Sequence, residues 1–301
     1  VPRSAVLAHI GRNEDQTVQA VWGAYALKSA FQPIFAFNNG KLAIAAFEGL
    51  IRPERDGAFV SPGAFFGGLA GIDRFHVETL TRTLHLMNAG ACLPQDTAIF
   101  VNFDPSVFID RSIADAALGD MRVTLHESGI DPKRVVCEVT EKKSGSQDAL
   151  YNFVQALKAN GFKIAVDDYG AEDSDIERIK MLRPDIVKFD AHWITRLMES
   201  DPGFGLLSAM VEIFYDQGIS TVFEGIEENW QLELAEKSGA SMVQGYVLAR
   251  PELAPTNFGA FPRTALPIAP GRRPAVQQEH RRPAPVALAP GKHFGRKISS
   301  P

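Results

Sequence analysis

With 301 residues, 45% of them hydrophobic, the chain can bury a full core and has the length of one barrel-sized domain. Its formal charge of −5 is uneven, because residues 252–301 hold eight Arg/Lys against two acids and residues 1–251 carry −11. An acidic body excludes general binding to polymeric nucleic acid, which needs a basic face, but not a small anion held through cations. Two cysteines, Cys92 and Cys137, give no disulfide framework and fit a reducing, cytoplasmic compartment. No apolar run reaches membrane-span length and there is no signal-peptide pattern. Val1 stands where an initiator methionine is usual, so the chain is expected to be a fragment whose other portion carries a sensor, anchor or oligomerisation element.

In chain order, Val18, Val21, Trp22, Tyr25, Ala26 and Leu27 recur at helical spacing and predict an amphipathic helix over residues 14–30. Residues 31–37 and 42–47 read as strands joined at Asn38-Asn39-Gly40, a strong hairpin signal, with Pro53 ending the second. Residues 64–89 are helical with a break near Gly71, and 97–103 form the next strand, with Asn102 near its end. Two helices are expected at 106–118 and 120–128. Residues 135–139 are a short apolar, β-branched run ending in acids, as are 162–167, and a helix at 146–159 lies between them. An acidic loop at 170–175, a strand at 185–189, helices at 191–199 and 204–217, a strand at 220–223, a helix at 228–238 and a strand at 241–243 complete the alternation. About eight strands with repeated right-handed crossovers predict an α/β fold: a modified (β/α)8 TIM-like barrel whose opening hairpin supplies the antiparallel strand. An open doubly wound sheet is the alternative. The barrel domain is assigned to 1–251. Frequent prolines and basic residues mark 252–301 as a Pro/Arg-rich C-terminal extension, most simply a solvated one.

Glu48, Asn102, Glu138, Asp167, Asp168, Lys188, Glu224 and Gln244 all fall at or near predicted strand ends. Singly, each reads as a solvent-exposed or capping residue. Together they deliver carboxylates and an amide oxygen to one edge, hard ligands suited to Mg²⁺ or Mn²⁺. Zinc is disfavoured because no histidine falls at these ends. The Asp167-Asp168 pair allows one carboxylate to bridge two ions while its neighbour holds the second, an arrangement suited to in-line phosphodiester hydrolysis, with Lys188 as a nearby cation. Two other readings stay open on the residues alone. One is a purely structural set of ion pairs; the other is a two-carboxylate glycosidase, which explains Asn102, Lys188 and the adjacent aspartates poorly.

From Phe31 to Pro251 the chain resembles the EAL domain family, phosphodiesterases of cyclic di-GMP. The resemblance is carried by Phe31-Gln32-Pro33-Ile34, Glu48-Gly49-Leu50-Ile51-Arg52, Val101-Asn102-Phe103, Glu138-Val139-Thr140-Glu141, Asp167-Asp168-Tyr169-Gly170, Val187-Lys188-Phe189-Asp190, Glu224-Gly225-Ile226-Glu227 and Gln244-Gly245-Tyr246. It implies a modified eight-stranded barrel with two divalent ions, Mg²⁺ or Mn²⁺. Glu48, Asn102, Glu138, Asp167 and Asp168 are the implied ligands, with Asp167 bridging. Lys188 and Glu224 would act on the nucleophilic water. Arg52, Leu50 and Gln244 would meet the substrate, and Glu141, Asp190 and Glu227 would support the loops. The implied reaction converts cyclic di-GMP to linear pGpG, and the implied assembly is a homodimer.

The chain also departs from the family. Gly49 stands for the usual alanine and is expected to loosen the backbone carrying Glu48. Pro53 replaces a tryptophan, and residues 61–73 are short. Residues 171–175, Ala-Glu-Asp-Ser-Asp, replace a small Gly-rich turn, and their added charge either strengthens ion attraction or misplaces the ligands. These departures motivate a second functional reading, a catalytically inactive cyclic di-GMP receptor or protein-interaction scaffold on the same barrel.

Overall fold

The computed structural model describes residues 3–38, 40–104, 111–139, 147–171 and 176–270. A short helix, α1 (Arg3–Leu7), leads into β1 (Ile10–Arg12), β2 (Val18–Trp22) and β3 (Tyr25–Asn38), which pair antiparallel in sequence. The helix expected over residues 14–30 is thus replaced by strands. Val18, Val21, Trp22 and Tyr25 share helical spacing by coincidence, but they are β-branched and aromatic, and a turn at Gly23 folds them into a hairpin.

β3 and β4 (Lys41–Arg55) form the expected hairpin, extended well past residues 31–47. Pro53 does not end β4. It lies beyond the stretch paired with the next barrel strand, in register with Leu27 of β3, and on its other flank its carbonyl accepts from the Val60 N–H at 2.8 Å. β5 (Ala58–Phe59), α2 (Pro62–Gly67) and α3 (Gly71–Cys92) follow. The remaining elements alternate: β6 (Ala98–Phe103), α4 (Arg111–Glu127), β7 (Val135–Val139), α5 (Gln147–Ala159), β8 (Lys163–Tyr169), α6 (Ile176–Leu182), β9 (Ile186–Phe189), α7 (Ala191–Met198), α8 (Asp201–Asp216), β10 (Ser220–Phe223), α9 (Asn229–Ser238) and β11 (Met242–Val243). α4 is continuous through Gly119, where two helices were expected.

Eight strands close a ring in the order β3-β4-β6-β7-β8-β9-β10-β11 and back to β3. β3 runs antiparallel to both its neighbours, and the other ring pairings are parallel. Alternation along each strand sends one set of side chains into the ring. Ile34, Ala46, Phe100, Val136, Ala165, Ile186, Val222 and Met242 form this inner plug, while Phe47, Val101, Cys137, Val187 and Phe223 face the helices. A bulge at Ala45 sets the phase of β4, because Ile34 pairs with Ala46 and Phe35 with Ile44. Ile44 therefore faces outward and Ala46 and Glu48 inward.

Residues 252–270 hold to the barrel, so the boundary expected at residue 251 is crossed by ordered contacts. β12 (Glu252–Leu253) pairs with β3, and Phe258 packs on Phe47. Phe261 meets Phe35, and backbone bonds join Ile44 to Pro262 and Thr264. Leu266 packs beneath the inner plug, and Ser220 Oγ donates to the Pro267 carbonyl at 2.7 Å. The segment runs down the outer wall and closes the floor.

Candidate active site

Counting two residues onward from each plug residue gives the next inward-facing layer. Ala46 leads to Glu48, Phe100 to Asn102, Val136 to Glu138, Ala165 to Asp167, Ile186 to Lys188, Val222 to Glu224 and Met242 to Gln244. The β period of two thus collects seven of the expected residues at the carboxyl end of the ring. Asp168 joins them through a bulge. Val166 pairs with Val187 and Tyr169 with Phe189, so Asp167 and Asp168 together oppose Lys188. Asp168 takes φ +58°, a conformation in which Asp is tolerated better than most residues, and both carboxylates reach the mouth.

Lys188 stands at the centre, only 1% exposed. Its Nζ lies 2.5 Å from Glu138 Oε1, 2.7 Å from Glu224 Oε1, 3.1 Å from Asp167 Oδ1 and 3.5 Å from Glu48 Oε2. Burial alone would depress the ammonium, but these four carboxylates outweigh it and hold the Lys188 pKa well above its ordinary value. One cation cannot balance them all. Burial first, then the charges of Glu48 and Asp167, keep Glu138 well above the usual carboxylate range despite Lys188. Burial, with Asp167 and Glu48, lifts Glu224 to about 8, and burial with the adjacent Asp167 lifts Asp168 to about 6.

The donor set fits divalent cations. Carboxylate oxygens of Asp167, Asp168 and Glu224 lie within 4.8 Å of one another. Glu138 Oε2 and Gln244 Oε1 are buried and accept no hydrogen bond from the described residues, while the equally buried Glu138 Oε1 and Asp167 Oδ1 lie against the Lys188 ammonium. Buried oxygens of this kind, in excess over the one ammonium, are what a hard cation satisfies. Gln244 is fixed by donating from Nε2 to Glu48 Oε2 at 2.8 Å.

Beside the mouth, a pocket of about 390 Å³ is lined by Leu50, Phe66, Arg74, Glu78, His85 and Asn102, among others. Arg74 pairs with Glu78 at 3.6 Å and with Asp104 at 3.5 Å. Burial raises Glu78 to about 7, and burial with the charges of Arg52 and Arg82 lowers His85 to about 3, so His85 is neutral at any ordinary working pH. The other expected residues are dispersed. Arg52 donates to its neighbour's carbonyl, Ile51 O, at 3.0 Å and is not part of the pocket wall. Asp190 caps α7, accepting from the Trp193 N–H at 2.8 Å. Glu227 is exposed, and its backbone N–H is held by Gln231. Glu141 lies outside the described residues, as do positions 172–175 of the acidic loop. Sequence reasoning assigned no role to Gln32, which pairs in register with Glu48, or to Glu78 and His85 of α3. The alternation Gln32–Ile34–Ala36 could have found the first; the α3 residues had no local signal.

Comparison with known proteins adds independent findings. The family model described as the EAL domain matches residues 17–251. A relative from Escherichia coli (strain K12), the probable cyclic di-GMP phosphodiesterase PdeA, is 27% identical over 208 residues, which is 67% of this chain and 28% of PdeA. The chain thus spans little more than a quarter of that relative's length. Among solved structures, Klebsiella pneumoniae BlrP1 in complex with manganese and cyclic di-GMP superposes with a TM-score of 0.67 at 26% identity, covering 75% of this chain and 56% of the other. The Bacillus subtilis YkuI protein, with an EAL domain and in complex with cyclic di-GMP and calcium, gives 0.66 at 27% identity, covering 75% and 56%.

Proposed function

The chain belongs to the EAL domain family, and on that premise we propose that it hydrolyses cyclic di-GMP to linear pGpG with two divalent ions, Mg²⁺ or Mn²⁺. The observation that carries the proposal is the bulge that turns Asp167 and Asp168 into the same mouth as Glu224. On this reading Glu48, Asn102, Glu138, Asp167 and Asp168 would hold the two ions. The ions would supply Lewis acidity and offset charge on the attacking and leaving oxygens.

The chain's own groups do the rest. Glu224, in its ionised form beside Lys188, takes a proton from the attacking water as its oxygen bonds to phosphorus. The bond from phosphorus to one 3′ oxygen breaks, and that oxygen takes a proton from solvent, to which Glu224 in turn releases the one it accepted, as the ring opens to pGpG. Lys188 stays charged throughout and stabilises the crowded phosphoryl oxygens. Gln244 keeps Glu48 in place. Leu50 lines the pocket that takes part of the nucleotide, Arg52 meets a phosphate when the ligand draws it in, and Asp190 holds the loop leaving β9. Glu141 and Glu227 support neighbouring loops. The working form is a homodimer in the cytoplasm, joined to a sensor or anchor region elsewhere in the protein.

The test is chromatography of the products formed from cyclic di-GMP with Mn²⁺, with Mg²⁺ and with EDTA. Expected is pGpG formation that needs the ion and falls by roughly a hundredfold or more in Glu48→Ala, since outer partners of metal ligands alone cost roughly ten- to a hundredfold. A folded preparation that binds cyclic di-GMP yet forms no product refutes hydrolysis and leaves a nucleotide receptor.

A further inference from the structure

Gly49 lies inside β4, between Glu48 and Leu50, with no positive φ that would call for glycine. Space calls for it instead. A Cβ built there would sit 3.0 Å from Cγ of His85, 3.1 Å from its Cβ and 3.3 Å from its Cδ2. Far from loosening the strand, as the sequence suggested, the glycine lets α3 press an imidazole against the backbone next to Glu48.

That imidazole is anchored from behind. The Val18 N–H donates to Asn88 Oδ1 at 2.7 Å, and Asn88 Nδ2 donates to the Val18 carbonyl at 2.9 Å and to Ser29 Oγ at 3.0 Å. Both backbone bonds fix which way the amide faces. Ser29 Oγ, already an acceptor, is left to donate its proton to His85 Nδ1 at 2.9 Å. Phe31, which pairs with Gly49 across the hairpin, meets the ring edge-on at 6.3 Å between centroids. His85 and Asn88 are 5% and 0% exposed. A relay from β2 through Asn88 and Ser29 therefore ends on the outer face of the residue beside Glu48, whose own side chain points inward.

We infer that His85 is a positioning residue for the mouth of the barrel: seated in the space left by Gly49, it sets the course of β4 and so the place of Glu48. The inference rests on the reading of Glu48 as a metal ligand. Gly49→Ala must push the ring or the strand by a few tenths of an ångström, and neither yields freely, because the ring is held by Ser29 and the strand is paired on both sides.

The test is Mn²⁺ binding without nucleotide, by calorimetry and by the electron paramagnetic resonance signal of bound Mn²⁺, in the full chain. Gly49→Ala is expected to weaken binding about five- to tenfold and broaden the signal, because contacting residues couple non-additively. In Gly49→Ala/His85→Ala the new methyl has room, and affinity returns to within about twofold of the unsubstituted chain. His85→Asn, which keeps an acceptor for Ser29, is expected to retain most of the affinity that His85→Ala loses. Thermal unfolding of each variant confirms that it is folded. Equal Mn²⁺ affinity in Gly49→Ala, or losses that simply add in the double variant, overturns the inference while leaving the metal reading intact. An unsubstituted chain that takes up no Mn²⁺ defeats both.

Discussion

Replacing Lys188 with methionine tests the electrostatics of the mouth most directly. The substitution keeps much of the aliphatic stem but removes the ammonium from Glu138, Glu224, Asp167 and Glu48, all 2.5–3.5 Å away. Removing one partner of a buried ion pair costs about 3–5 kcal/mol, because the other charge is left without compensation. For a domain of this size that lowers the melting temperature by roughly 6–20 °C. The loss must depend on pH. Glu138, Glu224 and Asp168 have folded pKa values above their unfolded ones, so the folded metal-free chain binds more protons than the unfolded chain, and stability falls as pH rises from about 4 toward 8. Lys188, raised above its unfolded value near 10.5, stays charged across that window. Its removal therefore matters little at pH 5.5, where the carboxyls can take up protons, and most at pH 8.5, where they must ionise. Melting followed by circular dichroism in EDTA at the two pH values measures this, and added Mn²⁺ is expected to return part of the lost stability. A Lys188→Met chain that melts with the unsubstituted one at pH 8.5 in EDTA would refute the reasoning.

Three more outcomes follow from the geometry. Gly170→Ala, at φ +100° and with a Cβ 2.5 Å from Trp193, is expected to displace the exit of β8 and abolish turnover more than it lowers the melting temperature; full activity would show that the exit tolerates the shift. Truncation after Pro251 removes the buried Phe258 and the cover over Leu266's contacts, and burial of one such aromatic alone is worth about 2–3 kcal/mol, so early melting and self-association on gel filtration are expected. Asn88→Ala breaks three hydrogen bonds and strands the Val18 amide, and is expected to cost about 2–3 kcal/mol in urea unfolding; a loss under half a kcal/mol would contradict the relay described above.

The ring was readable from the sequence because its strands are short apolar runs that each hand a polar residue to the same end. Val135–Val139 and the run before Asp167 carry that pattern without help from distant contacts. Where the reading failed, the deciding forces were not local. The stretch around Val18 and Trp22 became strands because β3 offered an edge to pair with, which outweighed an accidental helical period. Pro53 stayed in a strand because Leu27 on one flank and Val60 on the other, both distant in sequence, hold it there. Residues 252–270 carry no periodicity, and what fixes them is a few backbone bonds to Ile44 and aromatic contacts with Phe35 and Phe47. The site shows the same division. Its acids were visible as strand termini, whereas Gln32 beside Glu48, and Glu78 and His85 in the wall of the adjoining pocket, come from a paired strand and a helix that no spacing rule connects to it. Gly49 reads as a weak point in one dimension and as a tight contact in three.

The closed floor has a practical meaning. On β4, Ile44 is bound by the C-terminal segment and Glu48 stands at the mouth; on β10, Ser220 and Glu224 repeat the relation. Four residues of strand separate the two ends, about 13 Å. Surface labels or immobilising tethers placed on the covered side stand clear of the acidic mouth, so the folding of the molecule and its candidate site can be engineered one at a time.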